Sequence, residues 1–324
     1  MTVRETVCKS ALVKSGIADY ALNPYTGCAH SCAYCYASFM ARFSRHDRPW
    51  GQWVDAKINI AAVLARDLRR LQRLQREARG GPVEVVISSV TDAYQPLEHG
   101  YRLTRACLEA IAESVSQGSL ERPLLGLLAA PPAARPAARP ADTPTGLPVD
   151  PSLGLSPSRP GPETWLRVSI LTKSDLVVRD LDVLQDIPSL EVGMTITTVD
   201  DTVSRLYEPA APPATKRLSA LRRLSGAGIR TWAFLSPLLP YHSDSERAVR
   251  SILVAVRDAG VARVMVDRFN PYPASVSRFL KAAPAEAAQA LRGYVAGPLG
   301  YLGRLRETVT EAAADLKLDL KVLF

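Results

Sequence analysis

Three cysteines, Cys28, Cys32 and Cys35, fall within the stretch NPYTGCAHSCAYCYAS at residues 23–38. Thiolates spaced C-x3-C-x2-C share one short loop, which Gly27 allows to turn tightly. Metal ligation is the chemistry this suggests. The chain has only five cysteines in 324 residues, an odd and low count that does not fit a secreted disulfide framework. Closed zinc sites use paired C-x2-C units, or one such unit with a distant histidine pair. A closed iron–sulfur cubane uses four cysteines. Cys107 sits mid-helix in TRACLEA, where a small buried hydrophobe is expected. Cys8 lies in an N-terminal arm with no motif around it. His30 reads either as a fourth ligand or as a solvated or structural side chain. The economical reading is a [4Fe–4S] cluster held by three cysteines, with one iron left open. An open metal position is what a catalytic site requires.

Alternating strands and helices are expected to position that loop. The first strand ends at Ala21 to Asn23, and residues 59–79 form a long amphipathic helix with Ile60, Leu64, Leu68, Leu71 and Leu74 on one side. Strands follow at 83–88, 166–171, 190–197, 229–235 and 262–267. Helices are expected at 103–114, 176–185, 216–226 and 245–259, with Gly228 as a left-handed cap. The strands read as apolar throughout, as parallel strands covered on both faces require. About six β/α units result, and the fold class is α/β. Such units curl into a barrel or open into a doubly wound sheet, and either form carries its site at the C-terminal strand ends.

One segment stands apart. Residues 121–162 hold 11 of the 25 prolines and only seven charged residues. Proline removes backbone donors and blocks helix interiors, so a disordered insertion is expected there. The domain reading is an N-terminal arm at 1–20, a barrel at 21–270 with this insertion inside it, and a helical extension at 271–324. That extension reads as two helices from Ala283 and a short apolar tail, LDLKVLF.

The formal net charge is +8, which favours contact with polyanions. Arg66, Arg69, Arg70, Arg73 and Arg76 form a basic face on the first long helix, either solvated or touching phosphates. Trp50 and Trp53 either cap the barrel or stack on a base. No run of about 18 apolar residues suggests a membrane span. The N-terminus lacks a signal core, so the cytoplasm is the expected location.

The spacing C-x3-C-x2-C, with Tyr34 before the last cysteine, resembles the signature of the radical S-adenosylmethionine (radical SAM) enzymes. The segments SSVTDAYQPLE, LTRACLE, ILTKSDLVVRDLDVL and TITTVDDTVSRLYEPAAP extend the likeness. They resemble the branch of spore photoproduct lyase and the proteins labelled DNA repair photolyases, and within it actinobacterial radical SAM proteins. The likeness runs over roughly residues 8–280. It implies a partial (β/α)6 barrel of the TIM type and a [4Fe–4S] cluster on Cys28, Cys32 and Cys35. S-adenosylmethionine then occupies the open iron. Reductive cleavage gives a 5′-deoxyadenosyl radical that abstracts hydrogen from substrate. A flavodoxin- or ferredoxin-type protein is the implied electron donor, and DNA or RNA is a candidate substrate.

The resemblance assigns further roles. Thr91, followed by Asp92, matches a contact to S-adenosylmethionine after the second barrel strand. Lys173 matches a contact to the methionyl carboxylate, and Thr195 a polar contact at the end of the fourth strand. Tyr34 and Tyr36 match tyrosines that take part in radical transfer, although shielding the cluster is equally good physics for Tyr34. Glu208 and Arg217 read as an ion pair or as ligand contacts. One departure is plain: ISSVTD has Ser88 or Ser89 where the lyases carry a hydrogen-donating cysteine. A Ser O–H is a much poorer hydrogen-atom donor. The competing reading is a non-catalytic nucleic-acid-binding protein with a structural cluster or zinc, and a third is an enzyme acting on a protein or metabolite.

Overall fold

The computed structural model describes residues 1–78, 81–120 and 164–324. The proline-rich segment expected at 121–162 lies outside them. In chain order the elements begin with β1 (Thr2–Thr6), β2 (Leu12–Lys14), β3 (Tyr20–Leu22), β4 (Tyr25–Thr26), β5 (Trp53–Lys57) and α1 (Ile60–Ala78). Next come β6 (Val83–Ile87), α2 (Glu98–Tyr101), α3 (Leu103–Leu120), β7 (Leu166–Thr172), α4 (Leu181–Gln185) and β8 (Leu190–Thr195). Then follow α5 (Asp201–Tyr207), α6 (Ala214–Gly226), β9 (Arg230–Leu235), α7 (Glu246–Asp258) and β10 (Arg263–Val266). The chain closes with α8 (Pro273–Ala282), α9 (Ala285–Ala296), α10 (Pro298–Ala313) and β11 (Asp319–Val322).

Eight strands form one sheet in the order β11-β10-β9-β8-β7-β6-β3-β2. All neighbours in it are parallel except β2, which runs antiparallel to β3 at one edge. The order is open, with β2 and β11 at opposite edges, so the barrel is partial. The six expected parallel strands are β3 and β6 to β10. Local signals set the helices between them. Ser245 caps α7 by accepting from the Ala248 N–H at 3.3 Å, and Asp200 caps α5 by accepting from Thr202 at 2.7 Å. Gly228 adopts φ +81° after α6, as a left-handed cap requires.

Within the N-terminal arm, β1 pairs with β5 in a second sheet of order β1-β5-β4. Two expectations need correction. The tail LDLKVLF contains β11, a seventh parallel strand beside β10. The C-terminal region also has a helix, α8, ahead of the two expected.

The strands are also not apolar on both faces. Val168, Ile170, Val192, Met194, Ala233, Leu235, Val264 and Val266 pack in the core shared with the helices. The residues between them point the other way, into the barrel. There Glu191 accepts from Ser169 Oγ at 3.1 Å and from Arg263 Nη2 at 2.6 Å. Inward polar groups persist because they satisfy one another. Gly193 has no room for a side chain, since a Cβ would lie 2.2 Å from the Trp232 ring.

Candidate active site

The cysteine loop leaves the C-terminal end of β3. Gly27 opens it at φ +86°, and a Cβ there would sit 2.5 Å from the Trp53 carbonyl oxygen. Only glycine meets both conditions. Cys28 and Cys32 are buried, Cys35 is half-buried, and all three are free thiols. Burial pushes Cys28 well above the usual thiol range, Cys32 up to about 12, and Cys35 upward. A buried thiol becomes a thiolate when a metal or nearby positive charge supplies the compensation. Three cations near these thiols favour that change: Lys173 and Arg217 for Cys32, and Arg278 and Lys173 for Cys35.

Side chains from distant elements hold the loop. Gln95, fully buried, accepts from the Ala29 N–H at 2.8 Å. Thr91 Oγ1 donates to the Gly27 carbonyl at 2.5 Å and accepts from Gln95. His30 is buried, with Nδ1 3.1 Å from the Ala210 carbonyl and Nε2 3.3 Å from Asp92 Oδ2. It is neither solvated nor grouped with the thiols, so its role is structural. Asp92 joins three elements. It accepts from Thr172 Oγ1 at 2.6 Å, from the Lys173 N–H at 2.8 Å and from the Tyr94 N–H at 2.9 Å. Burial pushes its carboxyl pKa up, but the charge and hydrogen bond of His30, with those of Thr172 and Lys173, outweigh this and bring it to about 2.

Lys173 follows β7, where its ammonium lies 5.4 Å from the centre of the Tyr34 ring. Burial lowers its pKa. Thr195 ends β8 and is buried; its carbonyl accepts from Arg217 Nη1 at 3.2 Å. Glu208 and Arg217 form a buried ion pair, and Tyr34 donates its hydroxyl to the same carboxylate. Thr197 at 3.2 Å and Ser204 at 3.1 Å complete the shell around Glu208. Arg217 Nε donates to the Pro212 carbonyl at 2.7 Å. Of the two readings of this pair, the structure shows the ion pair, and it is buried.

Tyr36 is 46% exposed and donates to the Ser89 carbonyl. Ser88 takes φ +77° at the end of β6, and its buried hydroxyl has no partner among the described residues. Ser89 Oγ accepts from Asn23 Nδ2 at 3.1 Å. Trp50 and Trp53 are buried and meet edge to face, 5.7 Å between centroids, packed with Cys28 and Ala37. Neither is available to stack on a base. The arginines of α1 are exposed, with Arg66 bonded to the Lys9 carbonyl at 2.6 Å. Helix α1 leads into the N-terminal end of β6, so its last turns lie at the opposite end of the barrel from the cysteine loop. Sequence reasoning missed Gln95 and Arg278. Gln95 lay inside the recognised SSVTDAYQPLE, whereas Arg278 had no local signal.

Residues 22–251 match the sequence profile of the radical SAM superfamily. The chain belongs to that superfamily. An uncharacterized protein of Methanocaldococcus jannaschii is 30% identical over 229 residues, covering 71% of this chain and 64% of that protein. The match thus spans somewhat less than two thirds of that relative. An uncharacterized protein of Mycobacterium tuberculosis is 26% identical, covering 98% of this chain and 82% of its own length. Among solved structures, spore photoproduct lyase complexed with dinucleoside spore photoproduct aligns with a TM-score of 0.63 at 14% identity. That alignment covers 100% of this chain and 82% of the lyase. Streptococcus suis SuiB bound to precursor peptide SuiA aligns at 0.52 and 14% identity, covering 94% of this chain and 48% of SuiB. At such identities the likeness is one of fold.

The radical SAM family implies a [4Fe–4S] cluster and S-adenosylmethionine. The donor chemistry of the loop fits a cluster: three free thiols on one turn, with Lys173, Arg217 and Arg278 close enough to favour their thiolate forms. Among the described residues, no three His, Cys, Asp or Glu side chains converge on a point for one ion.

Proposed function

We propose that this radical SAM enzyme holds a [4Fe–4S] cluster on Cys28, Cys32 and Cys35 and binds S-adenosylmethionine at the open iron. The observation that carries the reading is three free thiols, two buried and one half-buried, grouped with an ammonium, Lys173, at the C-terminal strand ends. When bound and reduced, the cluster supplies the electron that splits the sulfonium into methionine and a 5′-deoxyadenosyl radical able to abstract hydrogen from substrate.

The chain's own residues prepare that site. Lys173 receives the methionyl carboxylate through a charge-assisted hydrogen bond. Thr195 offers a polar contact at the next strand end. Thr91 and Asp92 shape the cysteine loop: the Thr91 hydroxyl holds the Gly27 carbonyl, and the Asp92 carboxylate ties the His30 imidazole to the end of β7. Tyr34, buried and bonded to Glu208, excludes water from the thiols. Tyr36, exposed, is the tyrosine that faces substrate.

The substrate is a bulky molecule, with nucleic acid first among the classes. The support is the net charge of +8 and a fold neighbour solved with a dinucleoside lesion. On the resemblance, Ser88 or Ser89 stands where the lyases carry their thiol, and Cys107 is buried in the core. Hydrogen return from a protein thiol, and with it repair of the spore thymine lesion, is therefore not part of the proposal. A small acidic iron–sulfur or flavin protein in the cytoplasm is the proposed reductant.

The test is product analysis after anaerobic reconstitution. Protein reduced with dithionite in the presence of S-adenosylmethionine is expected to form 5′-deoxyadenosine and methionine. Protein that carries four irons yet forms neither would overturn the reading.

A further inference from the structure

The C-terminal helix α8 grips the cysteine loop. Arg278 Nη2 donates to the Cys32 carbonyl at 2.6 Å and to the Ser31 carbonyl at 3.2 Å. The next residue, Phe279, stacks on Tyr207 with ring centroids 4.5 Å apart. The Tyr207 carbonyl in turn accepts from the Ala33 N–H at 2.7 Å. Three successive residues of the loop, Ser31 to Ala33, are thus tied to one turn of α8. Ser31 needs such support, because it sits at φ +54°.

The guanidinium is not fully used by these bonds. Arg278 Nη1 is buried with no partner among the described residues, and so is the hydroxyl of Ser275, one turn earlier on the same helix. A buried cationic N–H without a partner is costly. The two carboxylates that act on Cys28 and Cys32 do not relieve it. Glu208 is committed to Arg217, Tyr34, Thr197 and Ser204, and Asp92 to His30, Thr172 and two backbone N–H groups. A cubane bound by three thiolates is anionic, and becomes more so on reduction. That is the partner the free N–H lacks.

We propose that Arg278 is a positioning residue of the metal centre, fixing the loop between the first two cysteines and placing a permanent positive charge that raises the cluster's reduction potential. The proposal rests on the cluster reading above and adds to it a role for the C-terminal extension. Hydrogen bonds and charge around a cluster are established determinants of its potential. Arginine cannot lose its charge at accessible pH, so the effect is constant.

The test compares native protein, Arg278→Gln and Arg278→Lys, each reconstituted anaerobically. Iron and sulfide content and the midpoint of a dithionite titration followed by electron paramagnetic resonance are measured. Arg278→Gln is expected to load iron and to shift the oxidised-to-reduced ratio about tenfold toward oxidised at a fixed potential, about 59 mV for one electron. Arg278→Lys is expected to stay near the native midpoint. If the Gln variant does not fold, the Lys variant carries the test: a native-like midpoint supports the charge role, and a fall of the same tenfold size overturns it. Loaded native and Gln proteins with one shared midpoint overturn this proposal alone. A native protein that takes up no cluster overturns the parent reading, and this proposal with it.

Discussion

Two carboxylate–cation couples flank the cysteine loop, and they are built differently. Glu208 and Arg217 are paired with each other, wholly buried, and surrounded by Tyr34, Thr197, Ser204 and the carbonyls of Pro212 and Thr195. Asp92 and Lys173 touch only through the lysine's backbone N–H. The Asp92 carboxylate is taken up by His30, Thr172 and the Tyr94 N–H, while the Lys173 ammonium is left beside the thiols and the Tyr34 ring. A closed network is scaffold. A half-buried cation whose neighbouring carboxylate is engaged elsewhere is, on the proposed function, the place for an anion that arrives later.

The closed couple should be the most costly to break. Glu208→Gln leaves Arg217 buried without its counter-charge. Stability is expected to fall by about 3–5 kcal/mol in chemical denaturation. A loss below about 1 kcal/mol would mean that water reaches the pair. Asp92 makes the next largest contribution. Its folded pKa of about 2 lies below its ordinary value of 3.8, so its stabilisation is present above about pH 4. It is lost as pH falls toward 2, and amounts to roughly 2 kcal/mol. Asp92→Asn should flatten that part of the stability–pH curve, measured by thermal melts across the acid range. An unchanged curve would assign the acid loss to other carboxylates.

The open couple should behave in the opposite way. Lys173→Met removes a cation whose charged form burial disfavours, so folding stability should hold or rise. Affinity for S-adenosylmethionine should drop about tenfold or more, the worth of one hydrogen bond to a charged group. Titration calorimetry on the loaded protein reads this. A variant that unfolds but binds normally would reverse the comparison. The smallest effect is expected at the far end of the barrel. Arg69→Glu, Arg70→Glu and Arg73→Glu together should leave S-adenosylmethionine binding and product formation unchanged.

Much of this arrangement was legible in the sequence because its signals are local. The three thiols share a turn, Gly27 precedes them, and TD, TKS and TITT end consecutive strands. The six β/α units could be read from apolar runs and caps. What escaped reading depends on contacts far apart in the chain. Strand β1 exists because β5 pairs with it, and β11 because β10 offers an edge. Neither segment has the length or pattern to declare itself: β1 is the polar TVRET, and β11 is four residues within a short tail. The hydroxyl of Thr91 was expected to face a ligand, yet it is spent on the Gly27 carbonyl. Arg278 reaches Cys32 across 246 positions, a distance no pattern in either segment records. Trp50 and Trp53 looked equally suited to a base or a core, and their packing on Cys28 and Ala37 decides for the core. Polar residues inside the strands, such as Glu191, were hidden by apolar neighbours that face the helices.

The central claim is an open iron that receives S-adenosylmethionine beside Lys173. The most direct measurement is the electron paramagnetic resonance spectrum of anaerobically reconstituted, reduced protein, recorded with and without S-adenosylmethionine. A cubane signal that shifts on addition, and shifts only at higher concentration in Lys173→Met, is the predicted result. A cubane signal indifferent to S-adenosylmethionine, or bound zinc with no cluster signal, would contradict the account.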